Sequence, residues 1–456
     1  MDAIEKQKRD YLKILDFYSD LNFNAVIVQI RAAGDAFYPS QYAPWSRFLT
    51  GSEGIAPEPY YDPLEWMVQE AHARGMEFHA WLNPYRATFD EKLDILSKDH
   101  DYNQHPDWML KYGKKYYYNP GLPEVQQHLT DIIGEVVSQY DIDAIHFDDY
   151  FYPYKITGET FEDREAYTKY AQPQQSLEDW RRSNIDSLVQ KVHNTIKSKK
   201  PWVQFGISPF GVWKNNSTDP RGSDTKAGQT TYEDLYADPL LWIKMGWIDY
   251  LVPQVYWSMD LPVASHKKIV DWWSKNSDNT NLYIGNGPYK IRNNSDKAWD
   301  RKKELPDQLK FARENKNVIG NVFFSAKSLM SNKEDVLKIL KKKYYHNMAL
   351  PPSPPLPINV FQNRIVETRF EEKDGLLHFN IPPREGQNLR YALVYMAKKE
   401  SKLNLENTNN LVAKIRLSES EDFSFDPSKL KRKKIMALTF LNNYGQESRP
   451  KIIRIN

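Results

Sequence analysis

Two adjacent carboxylates end a short apolar segment in the middle of this 456-residue chain. Segment 141–150 (DIDAIHFDDY) has the length and composition of a buried β-strand that stops at Asp148 and Asp149. Because successive side chains of a strand point to opposite faces, the apolar side chains share one face, whereas His146 and Asp148 share the other. Carboxylates at the carboxyl end of a parallel strand are groups that barrel enzymes use for chemistry. The segment therefore predicts catalysis by carboxylates.

The segments that would position this pair repeat one order along the chain, which is a short apolar strand, a loop and an amphipathic helix. Helical periodicity is clearest in residues 123–140 and in residues 63–74, where Gly75 marks a C-cap. Strands alternating with helices over roughly 325 residues predict an α/β fold, a (β/α)8 TIM barrel rather than a doubly wound sheet. The predicted strands are residues 25–31, 77–83, 142–149, 203–210, 250–257, 282–287 and 318–325.

The predicted barrel lacks its first strand. A helix from Ile4 to about Asp20 precedes the first strand that the pattern identifies. We therefore expect either that the sequence begins downstream of the natural start or that another segment takes the first position. Segment 116–119 is strand-like, but its place between two predicted strands argues against that role. No signal peptide is visible, and a clipped start would have removed one.

Polar side chains recur on the inward faces of six predicted strands. A purely structural barrel interior would be filled by Val, Ile and Leu. Any one of these polar residues alone would more often be a satisfied core group, but together they predict a polar pocket at the barrel mouth. They are Gln29 and Arg31, His79 and Asn83, His146 and Asp148, Gln204 and Ser208, Gln254 and Tyr256, and Asn321 and Ser325.

Composition excludes several classes of function. The chain carries 62 basic and 60 acidic residues, so we expect no nucleic-acid partner. Its hydrophobic fraction of 40% can build a large core, yet no run of apolar residues is long enough for a transmembrane segment. The absence of cysteine rules out disulfides and Cys-based metal sites or nucleophiles. We expect no cofactor, no metal and a monomer.

A proline-rich run (PPSPPLP, residues 351–357) predicts a stiff linker at residues 350–357. It separates a barrel domain at residues 1–349 from a second domain at residues 358–456. Alternating apolar and polar residues in the second domain predict an antiparallel β-sandwich of fibronectin type III or immunoglobulin-like type. The second domain has no Trp, which favours a spacer or docking role. Its predicted strands are residues 375–381, 389–396, 411–417 and 434–442.

Five segments carry a resemblance to a known family. They are residues 29–39 (QIRAAGDAFYP), 77–86 (EFHAWLNPYR), 118–124 (YNPGLPE), 146–150 (HFDDY) and 252–257 (VPQVYW). In this order, over about residues 1–330, they resemble the glycosyl hydrolase-like 10 family. Members usually begin with a strand like Arg-Gly-Val-Trp, which this chain lacks.

The resemblance implies a TIM-barrel glycoside hydrolase related to other bacterial barrel glycosidases. It implies polysaccharide substrates, including amino-sugar glycans such as peptidoglycan strands stripped of their peptides. It also implies a periplasmic, cell-surface or secreted bacterial protein.

Glycoside cleavage normally needs two carboxyl groups that flank the scissile bond. We predict Asp148 and Asp149 as the catalytic residues, with inward-pointing Asp148 as nucleophile or electrostatic stabiliser. Carboxylates this close push their pKa values apart, which can keep one of them protonated. Adjacent side chains on an extended strand point oppositely, however, so the partner acid could instead come from a loop. The loop candidates are Asp35, Glu233, Asp234 and Asp260.

Residue type suggests the supporting roles. Arginines can donate paired hydrogen bonds, the inward His, Asn and Gln side chains can hold hydroxyl groups, and aromatic rings can stack on sugars. The predicted substrate-binding residues are Arg31, Asp35, His79, Asn83, Tyr85, Arg86, His146, Tyr150, Tyr152, Gln254, Tyr256 and Trp257.

The sequence thus predicts hydrolysis of O-glycosidic bonds, and two alternatives stay open. A non-catalytic carbohydrate-binding barrel is the main one, because only one inward carboxylate is placed securely. A metal hydrolase with zinc on His79, His146, Asp148 and Asp149 is the other, but no close His-rich spacing supports it. The strand also resembles the fourth strand of chitinase-type barrels, where Tyr150 takes the place of the final Glu. That departure argues against a substrate-assisted mechanism.

Overall fold

The computed structural model describes residues 3–278, 280–331, 333–353, 361–382, 388–417, 422–430 and 435–455. The chain forms two compact units, the first of residues 1–14, 27–68 and 78–340, and the second of residues 15–26, 69–77 and 341–456. Residues 354–357 of the predicted linker lie outside the described residues, so the bounds of the linker stay a prediction.

Helices and short strands alternate as far as residue 343. The helices are α1 (Ala3–Ser19), α2 (Arg47–Thr50), α3 (Pro63–Ala73), α4 (Asp101–Gln104), α5 (Pro123–Gln139), α6 (Arg164–Tyr170), α7 (Leu177–Lys199), α8 (Thr231–Asp234), α9 (Pro239–Met245), α10 (His266–Asn276), α11 (Glu304–Glu314) and α12 (Glu334–Lys343). The strands are β1 (Ala25–Arg31), β2 (Glu77–Leu82), β3 (Met109–Tyr112), β4 (Lys115–Tyr118), β5 (Ala144–Phe147), β6 (Gln204–Ile207), β7 (Tyr250–Leu251), β8 (Asn281–Asn286) and β9 (Val318–Phe323). No helix among the described residues has the length and apolarity to cross a bilayer.

Seven strands form one parallel sheet in the order β1-β2-β5-β6-β7-β8-β9. Every predicted barrel strand is therefore confirmed as an element, and the sequential order with intervening helices is a TIM-barrel-like fold. Strand β7 stops after two residues because Pro253 has no backbone N–H to continue the ladder. In the described part of the chain the sheet holds seven strands, and helix α1 precedes the first of them.

The local signals that predicted the helices are confirmed. Helix α3 ends before Gly75, whose φ of +71° is a conformation that suits glycine. Segment 116–119 does not enter the main sheet, because strand β4 pairs with β3 in a separate antiparallel hairpin.

The predicted alternation of strand faces is confirmed for β1, β2, β5 and β6. It is wrong for Asn321 of β9, because Val322 packs with the interior residues Ala144 and Tyr250 while Asn321, on the other face, donates to Asn286. Side chains expected to face the helices are fully or almost fully buried, as they are for Ile30, Phe78, Ile145, Phe205 and Ile207. In these four strands the apolar outer face leaves the opposite face to line the barrel interior, which is where their polar residues lie.

The second unit contains the strands β10 (Arg369–Lys373), β11 (Leu376–Asn380), β12 (Leu389–Ala397), β13 (Leu411–Arg416), β14 (Asp422–Phe425), β15 (Ile435–Asn442) and β16 (Lys451–Arg454). They form two antiparallel sheets of strand order β10-β11-β14 and β13-β12-β15-β16. One apolar core includes side chains from both sheets, among them Leu377, Phe379 and Ile381, which the sequence predicted as an apolar face. Strands β10, β14 and β16 were not predicted: all side chains of β10 are exposed, and β14 and β16 have only four residues each.

Candidate active site

A cavity of about 380 Å³ lies at the carboxyl ends of the barrel strands, and we call it the main cavity. Residues at or just after the ends of β5, β7 and β9 supply much of its lining. Seven predicted site residues line it, namely Arg86, His146, Asp148, Asp149, Tyr150, Gln254 and Tyr256. Three residues from predicted inward positions, Gln29, Ser208 and Ser325, join them.

Both predicted carboxylates face this cavity. Strand β5 ends at Phe147, so Asp148 and Asp149 belong to the loop and no longer alternate as strand residues do. The expectation that adjacent side chains would point apart is therefore wrong for this pair. Among the cavity-lining residues that the structure describes, these two carry the carboxylates.

Asp148 is only 5% exposed. The backbone N–H of Tyr150 donates to its Oδ1 at 3.2 Å, whereas its Oδ2 has no hydrogen-bond partner among the described residues. Burial raises the pKa of Asp148 to about 8, and the negative charge of Asp149 raises it further in the same direction. Near neutral pH, Asp148 is therefore mostly protonated.

Asp149 has a different environment. The hydroxyl of Tyr154 donates a hydrogen bond to its Oδ2. Burial raises the pKa of Asp149, while hydrogen bonds from Tyr154 and Gln254 and the charge of Arg86 act to lower it. The backbone of Tyr150 and the indole of Trp81 also act to lower the pKa of Asp148, but burial and repulsion by the charge of Asp149 raise it, so the negative charge is favoured on Asp149.

A chain of hydrogen bonds crosses the barrel interior next to the pair. The hydroxyl of Tyr250 lies 2.8 Å from Nδ1 of His79 and 3.0 Å from Nδ1 of His146. Nε2 of His146 lies 3.0 Å from Oγ of Ser208. Burial, with a smaller contribution from His79, lowers the pKa of His146 to about 3, so this histidine is neutral.

Gly206 makes room for this chain. A Cβ at position 206 would lie 1.9 Å from the ring of Tyr250. The inward side of β6 therefore needs glycine at this position if the Tyr250 ring is to occupy the interior.

Aromatic rings form part of the cavity wall. The guanidinium carbon of Arg86 lies 4.9 Å from the ring centroid of Tyr150. The rings of Tyr256 and Phe324 stack with centroids 6.1 Å apart. A polar floor with aromatic walls is suited to sugar rings, which present hydroxyl groups at their edges and apolar C–H faces.

The sequence profile of the family described as Glycosyl hydrolase-like 10 matches residues 3–301. The chain belongs to the glycosyl hydrolase-like 10 family. This confirms the resemblance found in the sequence motifs and supports a glycoside hydrolase.

Named relatives of this glycosyl hydrolase-like 10 protein are also described as glycosyl hydrolases. Glycosyl hydrolase YngK of Bacillus subtilis (strain 168) is 45% identical over 404 residues, which cover 87% of this chain and 79% of YngK. Glycosyl hydrolase DigH of Escherichia coli (strain K12) is 42% identical over 296 residues, which cover 62% of this chain and 66% of DigH. The PgaB (BpsB) glycoside hydrolase domain from Bordetella bronchiseptica shares the fold, with a TM-score of 0.50 and 12% identity over 75% of this chain and 94% of that domain.

Several residues that were predicted to bind substrate do not line the main cavity and instead contact other parts of the protein. Arg31 is buried and donates to the hydroxyl of Tyr118 at 3.1 Å and to the carbonyl of Asn83 at 3.3 Å. Burial raises the pKa of Asp35, which is also enclosed. The strand alternation correctly placed Arg31 inside, but an inward side chain need not reach the cavity.

The remaining predicted residues also lie outside the lining of the main cavity. His79 takes part in the interior chain, Tyr85 is fully buried, and the hydroxyl of Tyr152 accepts from Nδ2 of Asn184 at 3.2 Å. The ring of Trp257 packs edge-on against Phe210 at 5.5 Å. Binding roles for Arg31, Asp35, His79, Asn83, Tyr85, Tyr152 and Trp257 stay predictions, without support from the cavity lining.

The loop carboxylates proposed as the partner acid do not line the main cavity. Asp234 forms an ion pair with Lys155 at 2.7 Å, and Asp260 forms one with Lys267 at 2.8 Å. Glu233 lies within 3.3 Å of the hydroxyl of Thr230.

Sequence reasoning missed eight residues that line the main cavity, among them Trp81, Tyr154 and Phe324. Trp81 has the same strand parity as His79 and could have been identified from it. Tyr154 and Phe324 follow the ends of β5 and β9, where no periodicity indicates direction. Within the described residues no group of three or more His, Asp or Glu side chains could hold a metal ion.

Proposed function

We propose that this protein hydrolyses O-glycosidic bonds of a polysaccharide with Asp148 and Asp149 as its two catalytic carboxyl groups. The observation that carries the proposal is the position of both carboxyl groups in one cavity, in unequal electrostatic environments. Environments that push the pKa values of two carboxyl groups apart distinguish an acid from a base in glycosidases.

Asp148 is the general acid in this proposal. With a pKa of about 8 it holds a proton near neutral pH, and it can deliver that proton to the leaving-group oxygen. This reverses the sequence-based preference for Asp148 as nucleophile or stabiliser. Burial is the main reason and the neighbouring charge of Asp149 adds to it, because an enclosed carboxyl group beside another carboxylate is a poor anion.

Asp149 is the carboxylate that acts as nucleophile or that activates water. The Tyr154 hydroxyl, the Gln254 amide and the Arg86 guanidinium each favour its ionised form. Tyr150, Tyr256 and the indole of Trp81 supply surfaces for sugar rings.

The substrate in this proposal is an amino-sugar glycan such as peptidoglycan strands without peptides. The family membership and the glycosyl hydrolase names of the relatives support a polysaccharide, and the motifs in the sequence led to the amino sugar. We further propose a periplasmic, cell-surface or secreted location.

We also propose that the second unit is a fibronectin type III-like sandwich. It has one sheet of three antiparallel strands and one sheet of four, and this arrangement supports that fold.

Two variants, Asp148→Asn and Asp149→Asn, test the proposal. Turnover of peptide-free peptidoglycan strands, chitooligosaccharides and plant glycans would be followed by release of reducing ends. We expect each variant to lose about 10²- to 10⁴-fold in kcat while it still binds the glycan. Asp260→Asn is the matched control, because Asp260 is an exposed carboxylate outside the cavity.

The alternative of a carbohydrate-binding barrel remains distinguishable. Unaltered protein that binds glycans but releases no reducing ends from any of them would favour that alternative. Variants with full turnover would refute the assignment of the two carboxylates.

A further inference from the structure

A second cavity adjoins the main cavity, and we call it the cationic hollow. It has a volume of about 470 Å³, and its lining includes Tyr289, Arg292, Lys327 and Lys333. Ser325 lines both cavities, so the two share a wall.

Three aromatic rings connect the two cavities. Tyr256 and Phe324 line the main cavity, and Tyr289 lines the cationic hollow. The ring of Tyr289 contacts Tyr256 and Phe324 edge-on, at centroid distances of 6.0 and 6.1 Å. Phe324 is 45% exposed and Tyr289 is 38% exposed, so both present ring surface to solvent. Adjacent exposed rings are a surface on which consecutive sugar units can stack.

The charges of the hollow are predominantly positive. Arg292 forms an ion pair with Asp335 at 2.5 Å, which neutralises one cation. Lys327 and Lys333 form no ion pair with any residue that the structure describes. The acidic neighbour of Lys327, Asp10, is already paired with Lys6 at 2.7 Å. Two ammonium groups are thus available to an anion.

We propose that the cationic hollow binds the carboxylate of an acidic sugar in the same glycan chain whose cleavage occurs in the main cavity. This inference rests on the proposed function and narrows its substrate class to acidic polysaccharides. The aromatic rings hold the intervening sugar surface, and Lys327 and Lys333 contact the carboxylate. A neutral polysaccharide lacks the group that these lysines recognise.

The test uses two matched probes, peptide-free peptidoglycan strands and the same strands whose carboxyl groups have been coupled to methylamine. Binding is measured calorimetrically on full-length protein carrying Asp148→Asn, so that neither probe is consumed. We expect the acidic strands to bind about fivefold to tenfold more tightly, and the preference to decrease with added salt. Adding Lys327→Gln with Lys333→Gln should abolish that preference, whereas Lys327→Arg with Lys333→Arg should retain it.

The matched control is Lys302→Gln with Lys316→Gln, which removes two exposed charges outside both cavities. It should retain the preference, and unchanged unfolding midpoints would show that each variant is folded. Equal affinity for both probes, no binding of either, or a preference that survives the glutamine pair would overturn the proposal. Hydrolysis is scored separately on the unaltered chain. Binding with the expected preference but without hydrolysis would contradict the proposed function and leave the cationic hollow supported.

Discussion

Replacing Asp148 by Asn should remove a pH-dependent loss of barrel stability. Burial, assisted by the charge of Asp149, raises the pKa of Asp148 from 3.8 to about 8. The folded protein therefore keeps a proton that the unfolded chain releases. Its stabilising effect is complete below the unfolded pKa and is lost as the pH rises through the folded value. As the pH increases from 3.8 to about 8, ionisation of Asp148 progressively lowers the free energy of unfolding.

The size of the effect follows from the shift in pKa. One unit corresponds to about 1.4 kcal/mol, so a shift of roughly four units sets an upper limit of about 6 kcal/mol. Relaxation of the protein around an ionised group reduces this limit, and we expect about 2–4 kcal/mol. Asn keeps the size of the side chain and stays neutral, so the variant should lack this contribution at every pH.

The assay is urea unfolding at several pH values between 4 and 9, followed by tryptophan fluorescence. All 13 tryptophans lie between residues 45 and 299, so the signal reports on the barrel. The stability of Asp148→Asn relative to the unaltered protein should increase steadily from pH 4 to about pH 8. Asp260→Asn is the control, because its side chain is 78% exposed.

A difference in unfolding free energy that stays constant across this range would refute the reasoning. It would mean that Asp148 ionises in the folded barrel as readily as in the unfolded chain. The assignment of Asp148 as the general acid would then lose its physical basis.

Three further predictions concern the same site. Hydrolysis should decrease about tenfold per pH unit above about pH 8, because ionisation of Asp148 removes the acid, and a pH–rate profile measures this. Tyr154→Phe should move the acidic limb of that profile to higher pH, since Asp149 loses a donor that stabilises its charge and lowers its pKa. Gly206→Ala should destabilise the barrel by about 1–3 kcal/mol in urea unfolding, because the new methyl group meets the ring of Tyr250 at 1.9 Å.

For each of these three predictions, a specific result would contradict the reasoning, and the two variants have matched controls. Activity that still rises at pH 9 would contradict the acid role of Asp148. Tyr60→Phe changes an exposed tyrosine and should leave the profile unchanged, and an unshifted limb in Tyr154→Phe would contradict the contact with Asp149. Gly228→Ala adds a methyl group with nothing within 4 Å, so equal stabilities of the two alanine variants would contradict the steric argument.

Local patterns were sufficient to predict the elements of the barrel. All seven strands were identified, and in β1, β2, β5 and β6 the outward residues are apolar because they pack under helices, which leaves a period of two in the sequence. Gly75 marked the end of α3 because few other residues adopt its backbone conformation. Such signals depend on nearest neighbours along the chain, and so they can be read without coordinates. Strand β10, with every side chain exposed, lacked the signal and was missed.

The membership of the main cavity depended on contacts between distant segments. Arg31 and Trp81 both occupy inward positions, yet Arg31 contacts Tyr118 inside the protein while Trp81 reaches the cavity. Tyr154 approaches Asp149 only because the loop after β5 turns back. Periodicity assigns a side chain to a face, but it contains neither the depth of that side chain in the barrel nor the path of a loop. Both result from long-range packing, and so the acid and its partner could be assigned different environments only from the folded chain.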